Sequence, residues 1–244
     1  MQAEEYKLMY QAEQKMWWFR AMHLFIHRIL VKQLAGKDLQ VLDIGCGTGG
    51  LLHMLSAEGF HPIGSDYSAI ALKYVAKHNK QLVQADANCL PFESTFDLVI
   101  SVDVLETENI NPNRFVSAAI RTLKPGGYGL FVMAAHQWLL SEHDRAVNSV
   151  RRYNMKQMRE LFRIQGTEIL RSTYLFFSLF PLIAARKLLN RRQKNTRVAK
   201  SDISIPPFLV NEILYAVCFL ESLLLSKTDF PVGSSVLILV RKNG

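Results

Sequence analysis

A glycine-rich segment directly after an apolar run constrains this chain most. Residues 39–44 are apolar and rich in β-branched side chains, four glycines follow between positions 45 and 50, and an apolar helical pattern begins at Leu51. This order predicts a strand, a tight loop and a helix. Glycine has no Cβ, so the loop's backbone N–H groups can approach a ligand, and the helix N-terminus favours negative charge.

Asp43 distinguishes between two interpretations of this loop. Gly45, Gly47 and Gly50 also fit the pattern G-x-G-x-x-G, which is typical of dinucleotide-binding proteins. An acid two residues before the first glycine lies at the carboxyl end of the strand. It would repel a pyrophosphate but would accept a hydrogen bond from the ammonium group of an amino-acid-like ligand. The acid therefore favours such a ligand.

Two further strand patterns also end in acids. Residues 60–65 predict a strand that ends at Asp66, and Ser68 is expected to cap a helix over residues 69–78. Residues 81–85 predict the third strand, which ends at Asp86. An acid at the tip of the second strand can accept hydrogen bonds from ribose hydroxyls, which is the role predicted for Asp66.

The next segments predict strand four and strand five of a parallel sheet. Residues 96–101 are almost entirely apolar, as expected of a strand covered on both faces. Asn111-Pro112 predicts the start of a helix over residues 114–123. The turn 124–127 then leads into a strand over residues 128–135.

From residue 39 to residue 135 the sequence resembles the class I S-adenosylmethionine-dependent methyltransferases. The resemblance rests on D-x-G-x-G-x-G (Asp43, Gly45, Gly47, Gly49), the acids at the next strand tips, the L-P-F loop before strand four and the L-K-P-G-G turn. It implies an α/β, Rossmann-like sheet of seven strands with helices on both faces, and S-adenosyl-L-methionine as cofactor. In that family the acid after strand three accepts from the adenine amino group. The residues expected to bind the cofactor are Arg20, Asp43, Gly45, Cys46, Gly47, Gly49, Asp66, Tyr67, Asp86, Ala87, Ser101 and Val102.

The N-terminal residues 3–34 predict one helix that contains the cluster Trp17-Trp18-Phe19-Arg20. Neighbouring residues on a helix lie about 100° apart, so three aromatic side chains in a row cannot share one core-facing stripe. Trp18 is therefore predicted to line the acceptor pocket, and the planar guanidinium of Arg20 to bind the cofactor carboxylate. Packing of the aromatic residues onto the sheet is the alternative.

Beyond residue 135 the sequence resembles a narrower group of bacterial methyltransferases, with W-W-F-R near the start and R-R-Y (Arg151-Arg152-Tyr153) after Asp144. That group usually has histidines where this chain has Thr107 and Ser149. His136 and His143 are the candidate catalytic bases, with a purely structural role as the alternative. Arg151 and Arg152 are expected to bind an anionic acceptor or to fix the loop on Asp144. The residues predicted to bind the acceptor are Trp18, Asp103, Arg151, Arg152 and Tyr153.

Residues 167–174 and 233–240 predict the last two strands, with a long insertion between them. The insertion contains an apolar run over 175–185, a basic tract, and an apolar helix over 208–225. Neither apolar run is expected to span a bilayer, since the first is too short and the second contains acids. The insertion is interpreted as a lid over the acceptor pocket, a contact with an anionic membrane surface, or a homodimer interface.

These patterns divide the chain into four segments. They are an N-terminal helical cap (1–37), the cofactor-binding core (38–174), the helical insertion (175–232) and the final core strand (233–244).

Charge and cysteine content limit the classes of binding partner and the cellular compartment that we expect. The net charge is +8, and between Arg145 and Lys200 fourteen basic residues face two acids. Such a segment favours nucleic acid, anionic lipid or a phosphorylated substrate, or simply forms solvated helix faces. The three cysteines are far apart and have no metal-ligand spacing, so we expect no metal and a reducing compartment. Without a secretory signal pattern at the start, we expect a cytoplasmic protein, or one that is peripheral on the inner face of the membrane.

The sequence thus predicts an S-adenosylmethionine-dependent methyltransferase that methylates oxygen or nitrogen of a small-molecule, sugar or lipid-linked acceptor. A nucleic-acid methyltransferase is the first alternative, although no Asn/Asp-Pro-Pro-Tyr-type motif follows strand four, which reads Ser101-Val102-Asp103-Val104. The second is a catalytically silent cofactor-binding protein. An oxidoreductase is the last alternative.

Overall fold

Seven strands form one sheet in the computed structural model of the protein, which describes residues 3–34, 38–77, 81–163, 166–190 and 203–244. The strands are β1 Gln40–Ile44, β2 His61–Asp66, β3 Leu82–Gln84, β4 Phe96–Val102, β5 Leu123–Ala134, β6 Thr167–Leu175 and β7 Ser235–Lys242. The helices are α1 Ala3–Ala12, α2 Trp17–Leu34, α3 Gly50–Ala57, α4 Ala69–Val75, α5 Pro112–Thr122, α6 Glu142–Ala146, α7 Met155–Arg163, α8 Phe180–Asn190 and α9 Phe208–Leu225. A 3-10 turn spans Gln137–Leu139.

The strand order is β3-β2-β1-β4-β5-β7-β6, and β7 runs antiparallel to both of its neighbours. In the central strand, Leu98, Val99 and Ile100 are all fully buried. Consecutive residues of a strand point to opposite faces, so both faces of the sheet are covered. Helices α5 and α7 contact each other, and α2 contacts α3 and α9. The predicted seven-stranded α/β fold is confirmed.

Two predicted helix starts depend on side-chain caps that the structure contains. The Ser68 hydroxyl accepts from the backbone N–H of Ala71 at 3.3 Å and begins α4. The Asn111 side chain accepts from the N–H groups of Asn113 and Arg114, both at 3.1 Å, and begins α5. Each cap satisfies N–H groups that have no partner within the helix.

The prediction of one continuous helix over residues 3–34 is wrong, because the chain turns between α1 and α2. The side chain of Asn211, on α9, holds this turn from both sides. Its amide nitrogen donates to the carbonyl of Lys15 at 2.9 Å, and its oxygen accepts from the N–H of Trp17 at 2.8 Å. Helical periodicity persists across the turn, so the sequence gives no local signal for the break.

Strand β5 begins five residues before the predicted start. Leu123 lies opposite Phe96, whereas Tyr128 lies opposite Leu98, so the predicted turn 124–127 bulges out within the strand instead of preceding it. Gly126 has φ +74°, which is compatible with such a bulge. The L-K-P-G-G segment therefore belongs to the start of β5 rather than to a separate loop.

Between β6 and β7 the chain forms α8 and α9. Helix α9 packs against α2, and the sequence from 191 to 202, which holds most of the basic tract, lies outside the described residues. The four-segment division of the chain remains a prediction.

Candidate cofactor and acceptor site

The glycine loop after β1 has backbone conformations that favour glycine at three positions. Gly45, Gly47 and Gly49 have φ of +75°, +55° and +93°. The N–H groups of Gly45 and Cys46 donate to the carbonyl of Ser65 in β2, at 2.7 and 3.0 Å. A Cβ on Gly45 would lie 2.2 Å from a methyl carbon of Val104, so the loop also packs closely against the segment after β4. The loop can therefore tolerate no side chain at position 45.

Asp66, at the end of β2, connects this loop to the next helix. Its carboxylate accepts from the N–H of Gly47 at 3.0 Å and from the N–H of Ser68 at 2.8 Å. Burial raises its pKa, and these two N–H groups oppose that shift. The neighbouring Tyr67 is 76% exposed. Asp66 is thus fixed beside the glycine loop, which suits the ribose-binding role predicted for it.

Helix α1 and the turn after it cover the glycine loop. A methyl carbon of Met9 would lie 3.3 Å from a Cβ on Gly47, and the carboxyl carbon of Glu13 would lie 2.9 Å from a Cβ on Gly50. Sequence reasoning missed Glu13, which is 7% exposed. The sequence feature that could have identified Glu13 is its spacing of seven residues from Tyr6, because this spacing places both residues on one face of a helical pattern.

Three carboxyl groups converge here, and all have raised pKa values. Burial, together with nearby Asp66 and Glu13, raises the pKa of Asp43 to about 8. Burial raises the pKa of Glu13 to about 7, and the backbone of Gly50 opposes the shift. One carboxyl oxygen of Asp43 is buried without a hydrogen-bond partner. An arrangement of this kind stabilises a bound cation, because ionised carboxyls would then gain an opposite charge.

The tips of β3 and β4 contain the other residues predicted to bind the cofactor. Asp86 is exposed, and its carboxylate accepts from the backbone and side chain of Asn88, both at 2.8 Å, while Ala87 is buried. The hydroxyl of Ser101 donates to the carbonyl of Ile44 at 3.0 Å and so links β4 to β1. These contacts give Ser101 a structural role. The predicted cofactor contacts of Asp86, Ala87, Ser101 and Val102 remain predictions.

Arg20 has a different partner from the one predicted. Its guanidinium pairs with both carboxylate oxygens of Glu212 on α9 and lies 3.9 Å from the ring centre of Tyr215. In the structure an acid of the chain itself pairs with the planar fork of Arg20, and the contact with the cofactor carboxylate remains a prediction. The sequence could not show which carboxylate Arg20 meets.

Trp18 contributes to an aromatic cluster. Its ring stacks on Phe176 at 6.1 Å and meets Phe19 edge-on at 5.0 Å. Trp17 and Phe25 also contact the fully buried Phe176. The packing alternative from the sequence is therefore observed, whereas the predicted contact of Trp18 with the acceptor remains a prediction.

A second group of polar residues lies where β4 and β5 end. Asp103 has φ +54°, and its carboxyl lies against that of Glu106, a residue that sequence reasoning missed. Glu106 accepts from the N–H of Ala134 at 3.1 Å and is fully buried. Burial raises the pKa of both groups. Each carboxyl keeps one buried oxygen without a hydrogen-bond partner, so the pair can hold a proton between them.

Arg152 fixes the loop after β5. It donates to both oxygens of Asp144, at 2.8 and 3.0 Å, and to the carbonyl of Ala135 at 3.2 Å. Burial would raise the pKa of Asp144, but Arg152 lowers it below its usual range. Of the two roles predicted for Arg152, these contacts show the loop-fixing one.

The other two residues of R-R-Y also have partners within the chain. Arg151 donates to the carbonyl of Thr107 at 3.2 Å, and the hydroxyl of Tyr153 donates to the carbonyl of Leu105 at 3.3 Å. Thr107 and Ser149 form a β-bridge with each other. The two positions where the narrower group usually has histidines are therefore neighbours in space.

His136 is the better placed of the two predicted bases. It has φ +63°, its ring stacks on Tyr174 at 5.3 Å, and its Nε2 is buried without a hydrogen-bond partner. Burial lowers the pKa of His136, and a hydrogen bond with the backbone of Gly233 opposes the shift. The ring is therefore neutral at pH 7, with a free nitrogen lone pair. His143 lies close enough to influence Asp103 electrostatically.

Comparison with known proteins identifies the fold and the domain. Residues 42–131 match the family described as a methyltransferase domain. The chain is 32% identical over 118 residues to the fatty-acid O-methyltransferase of Mycolicibacterium smegmatis, covering 44% of this chain and 42% of that protein. It is 35% identical over 106 residues to the ubiquinone biosynthesis O-methyltransferase of Thiobacillus denitrificans, covering 40% and 44%.

Among solved structures, the fold is similar to that of a SAM-dependent methyltransferase, possible histamine N-methyltransferase, from Thermotoga maritima. The TM-score is 0.59 at 16% identity, over 98% of this chain and 96% of that one. Residues 42–131 therefore form a methyltransferase domain within a class I methyltransferase fold. The match spans less than half the length of the two curated relatives, and the narrower W-W-F-R group remains a prediction.

Replacing Gly45 by alanine tests the packing of the loop. Gly45→Ala introduces both an unfavourable positive φ and a clash with Val104 at 2.2 Å, so we expect a loss of about 3 kcal/mol in the free energy of unfolding. Gly59→Ala is the matched control, because Gly59 has φ +84° but nothing within 4 Å. We expect it to lose only about 1 kcal/mol. Equal losses in urea unfolding of the two variants would show that the contact with Val104 is unimportant.

Proposed function

We propose that this protein is an S-adenosylmethionine-dependent methyltransferase that acts on oxygen or nitrogen of a small-molecule, sugar or lipid-linked acceptor. The observation that carries the proposal is the cluster of Glu13, Asp43 and Asp66 around the glycine loop. S-adenosylmethionine has two positive centres, the ammonium and the sulfonium, and buried carboxyls with raised pKa values favour a cationic ligand. A dinucleotide brings a negatively charged pyrophosphate, which the same carboxyls would repel.

Each part of the cluster suits a different part of that cofactor. The free carboxyl oxygen of Asp43 offers a hydrogen-bond acceptor to the ammonium group, and Asp66 offers one to the ribose hydroxyls. The N–H groups of the loop, at the start of α3, favour the carboxylate. We therefore assign Asp43, Asp66, Gly45, Gly47 and Gly49 to cofactor binding.

The bound cofactor supplies a methyl group made electrophilic by its sulfonium, so the protein must mainly align the acceptor, exclude water and accept a proton. We assign proton acceptance to Nε2 of His136, which is neutral and unpartnered in a buried position. The carboxyl pair Asp103–Glu106 and the Arg152–Asp144 ion pair are the polar groups in this region, since Arg152 acts electrostatically on both His136 and Asp103. They would orient a polar acceptor group rather than react.

The relatives' names support an acceptor with apolar character, since one acts on fatty acids and another serves ubiquinone biosynthesis. The start of α8 supports the same class, because Phe180 lies 5.3 Å from His136 and 6.2 Å from Trp138, between ring centres. We also propose a cytoplasmic location. The free thiols of Cys46, Cys89 and Cys218 suit a reducing compartment.

The first test is calorimetric titration with S-adenosylhomocysteine. We expect micromolar binding by the parent, weakened at least tenfold in Asp66→Ala because the ribose hydroxyls lose their acceptor. Asp38→Ala is the control, since this aspartate has a side chain that is 81% exposed and pairs only with His61 among the described ion pairs. No heat from a folded parent protein would contradict the cofactor assignment.

The pH dependence of S-adenosylmethionine binding tests the carboxyl cluster. A bound cation lowers the pKa values of Asp43 and Glu13 from about 8 and about 7 in the free protein, so binding releases protons. Affinity should therefore rise between about pH 6 and about pH 7.5, by up to tenfold per pH unit for each proton released. Glu13→Gln should make the profile shallower, and a flat profile for the parent would contradict the assignment.

Transfer of a labelled methyl group to polyprenyl phenols, whose hydroxyl must lose a proton on methylation, tests catalysis. We expect His136→Asn to lower kcat by about 10²- to 10⁴-fold without weakening S-adenosylhomocysteine binding. His61→Asn, at the start of β2 and paired with Asp38, should leave kcat unchanged. Unchanged turnover in His136→Asn would exclude His136 as the base. Cofactor binding with no methyl transfer to any acceptor would favour the catalytically silent alternative.

A further inference from the structure

Helix α9 is amphipathic in an unusual sense, because its polar side chains face the protein and its large apolar ones face outward. Asn211 holds the α1–α2 turn, Glu212 pairs with Arg20, and Glu221 accepts from the N–H groups of Phe177 and Ser178 at 2.9 and 2.8 Å. Both acids of α9 are thus bound by the chain itself. Glu221 is buried, and Glu212 is partly exposed but paired with Arg20.

The outer face is strongly apolar. Phe208 is 81% exposed and Leu209 is 69% exposed. The exposed large apolar side chains of α9 are Phe208, Leu209, Val210, Ile213, Phe219, Leu220, Leu223 and Leu224. On α8 they are Leu182, Leu188 and Leu189. We call the exposed apolar set of α9 the outer apolar face. Exposed apolar residues concentrated in this way mark an interaction surface.

A run of positive charge lies in the sequence between the exposed apolar residues of α8 and those of α9. From residue 186 to residue 200 the chain contains seven Lys or Arg residues and no acid. Exposed apolar residues bracket the run on both sides, with Leu188 and Leu189 at its start and Ile205 and Phe208 after its end. Apolar side chains beside a cluster of cations are the features that bind an anionic bilayer surface.

We propose that the outer apolar face binds the surface of an anionic lipid bilayer, with α9 lying in the plane of the interface. Among the described residues α9 alone is long and apolar enough to cross a membrane, a property that core helices share. Crossing would break the contacts of Asn211, Glu212 and Glu221 and expose them to hydrocarbon, which is costly. A helix in the interfacial plane keeps all three contacts.

Charge favours a bilayer over a second copy of the chain. A second copy of the chain carries the same net charge of +8 and the same tract of seven Lys or Arg residues without an acid, so like charges would oppose the pairing of two copies. Anionic headgroups supply the opposite charge. This inference does not depend on methyl transfer, since lipid binding requires neither cofactor nor acceptor.

Co-sedimentation of the full chain with phosphatidylcholine vesicles containing about 30% phosphatidylglycerol tests the proposal. We expect the parent to bind these vesicles at least tenfold more tightly than pure phosphatidylcholine vesicles, and more weakly as salt rises from about 0.1 M to about 0.5 M. The variant Leu209→Ser/Ile213→Ser/Leu220→Ser should lose at least tenfold in affinity. Its control is Ile70→Ser/Val150→Ser/Leu170→Ser, which removes exposed apolar side chains elsewhere.

A second variant keeps the test decisive if the first folds poorly. Arg191→Gln/Arg192→Gln/Lys194→Gln should weaken binding to the anionic vesicles at least tenfold, whereas Lys7→Gln/Lys73→Gln/Lys156→Gln, with the same charge change elsewhere, should not. A parent that ignores anionic vesicles would overturn the proposal. So would a parent that forms dimers, binds no vesicles and becomes monomeric when the three α9 side chains are changed. That result would assign the face to contact between copies.

Discussion

The parallel pairing of β1 with β2 and β4 positions the candidate site. Ile44 lies opposite Ser65 on one side and opposite Ser101 on the other, so the three strands end at almost the same level. Each strand therefore brings the residues at its carboxyl end to a single edge of the sheet. Asp43, Asp66 and Asp103 reach that edge in this way, and the glycine loop is pinned to Ser65 by two backbone hydrogen bonds. The chemistry of the site follows from strand register before any side-chain contact is considered.

Much of this could be predicted from the sequence, because strand ends and helix caps are local signals. The acids at the strand tips, the caps at Ser68 and Asn111 and the seven-stranded fold all follow from patterns a few residues long or from the family resemblance. The roles of individual residues in binding and catalysis remain predictions, because they depend on ligands.

The sequence could not show which side chains from distant parts of the chain contact each other. The sequence predicts a cofactor carboxylate as the partner of Arg20, and in the structure its guanidinium pairs with Glu212, 192 positions away. No sequence motif marks Glu106, whose side chain meets that of Asp103 only in the folded chain. The turn between α1 and α2 depends on Asn211, 196 positions beyond Lys15. Each of these contacts joins elements whose relative placement is set by tertiary packing, so no periodic pattern encodes them.

The position of Asn211 has a mechanical consequence. The side chain of Asn211 on α9 forms hydrogen bonds with the turn that follows α1. The same turn begins with Glu13, whose carboxyl lies against the start of α3. Only two side-chain contacts therefore separate the outermost helix from the glycine loop. A displacement of α9 along α2 would therefore reach the glycine loop through Asn211, the turn after α1 and Glu13.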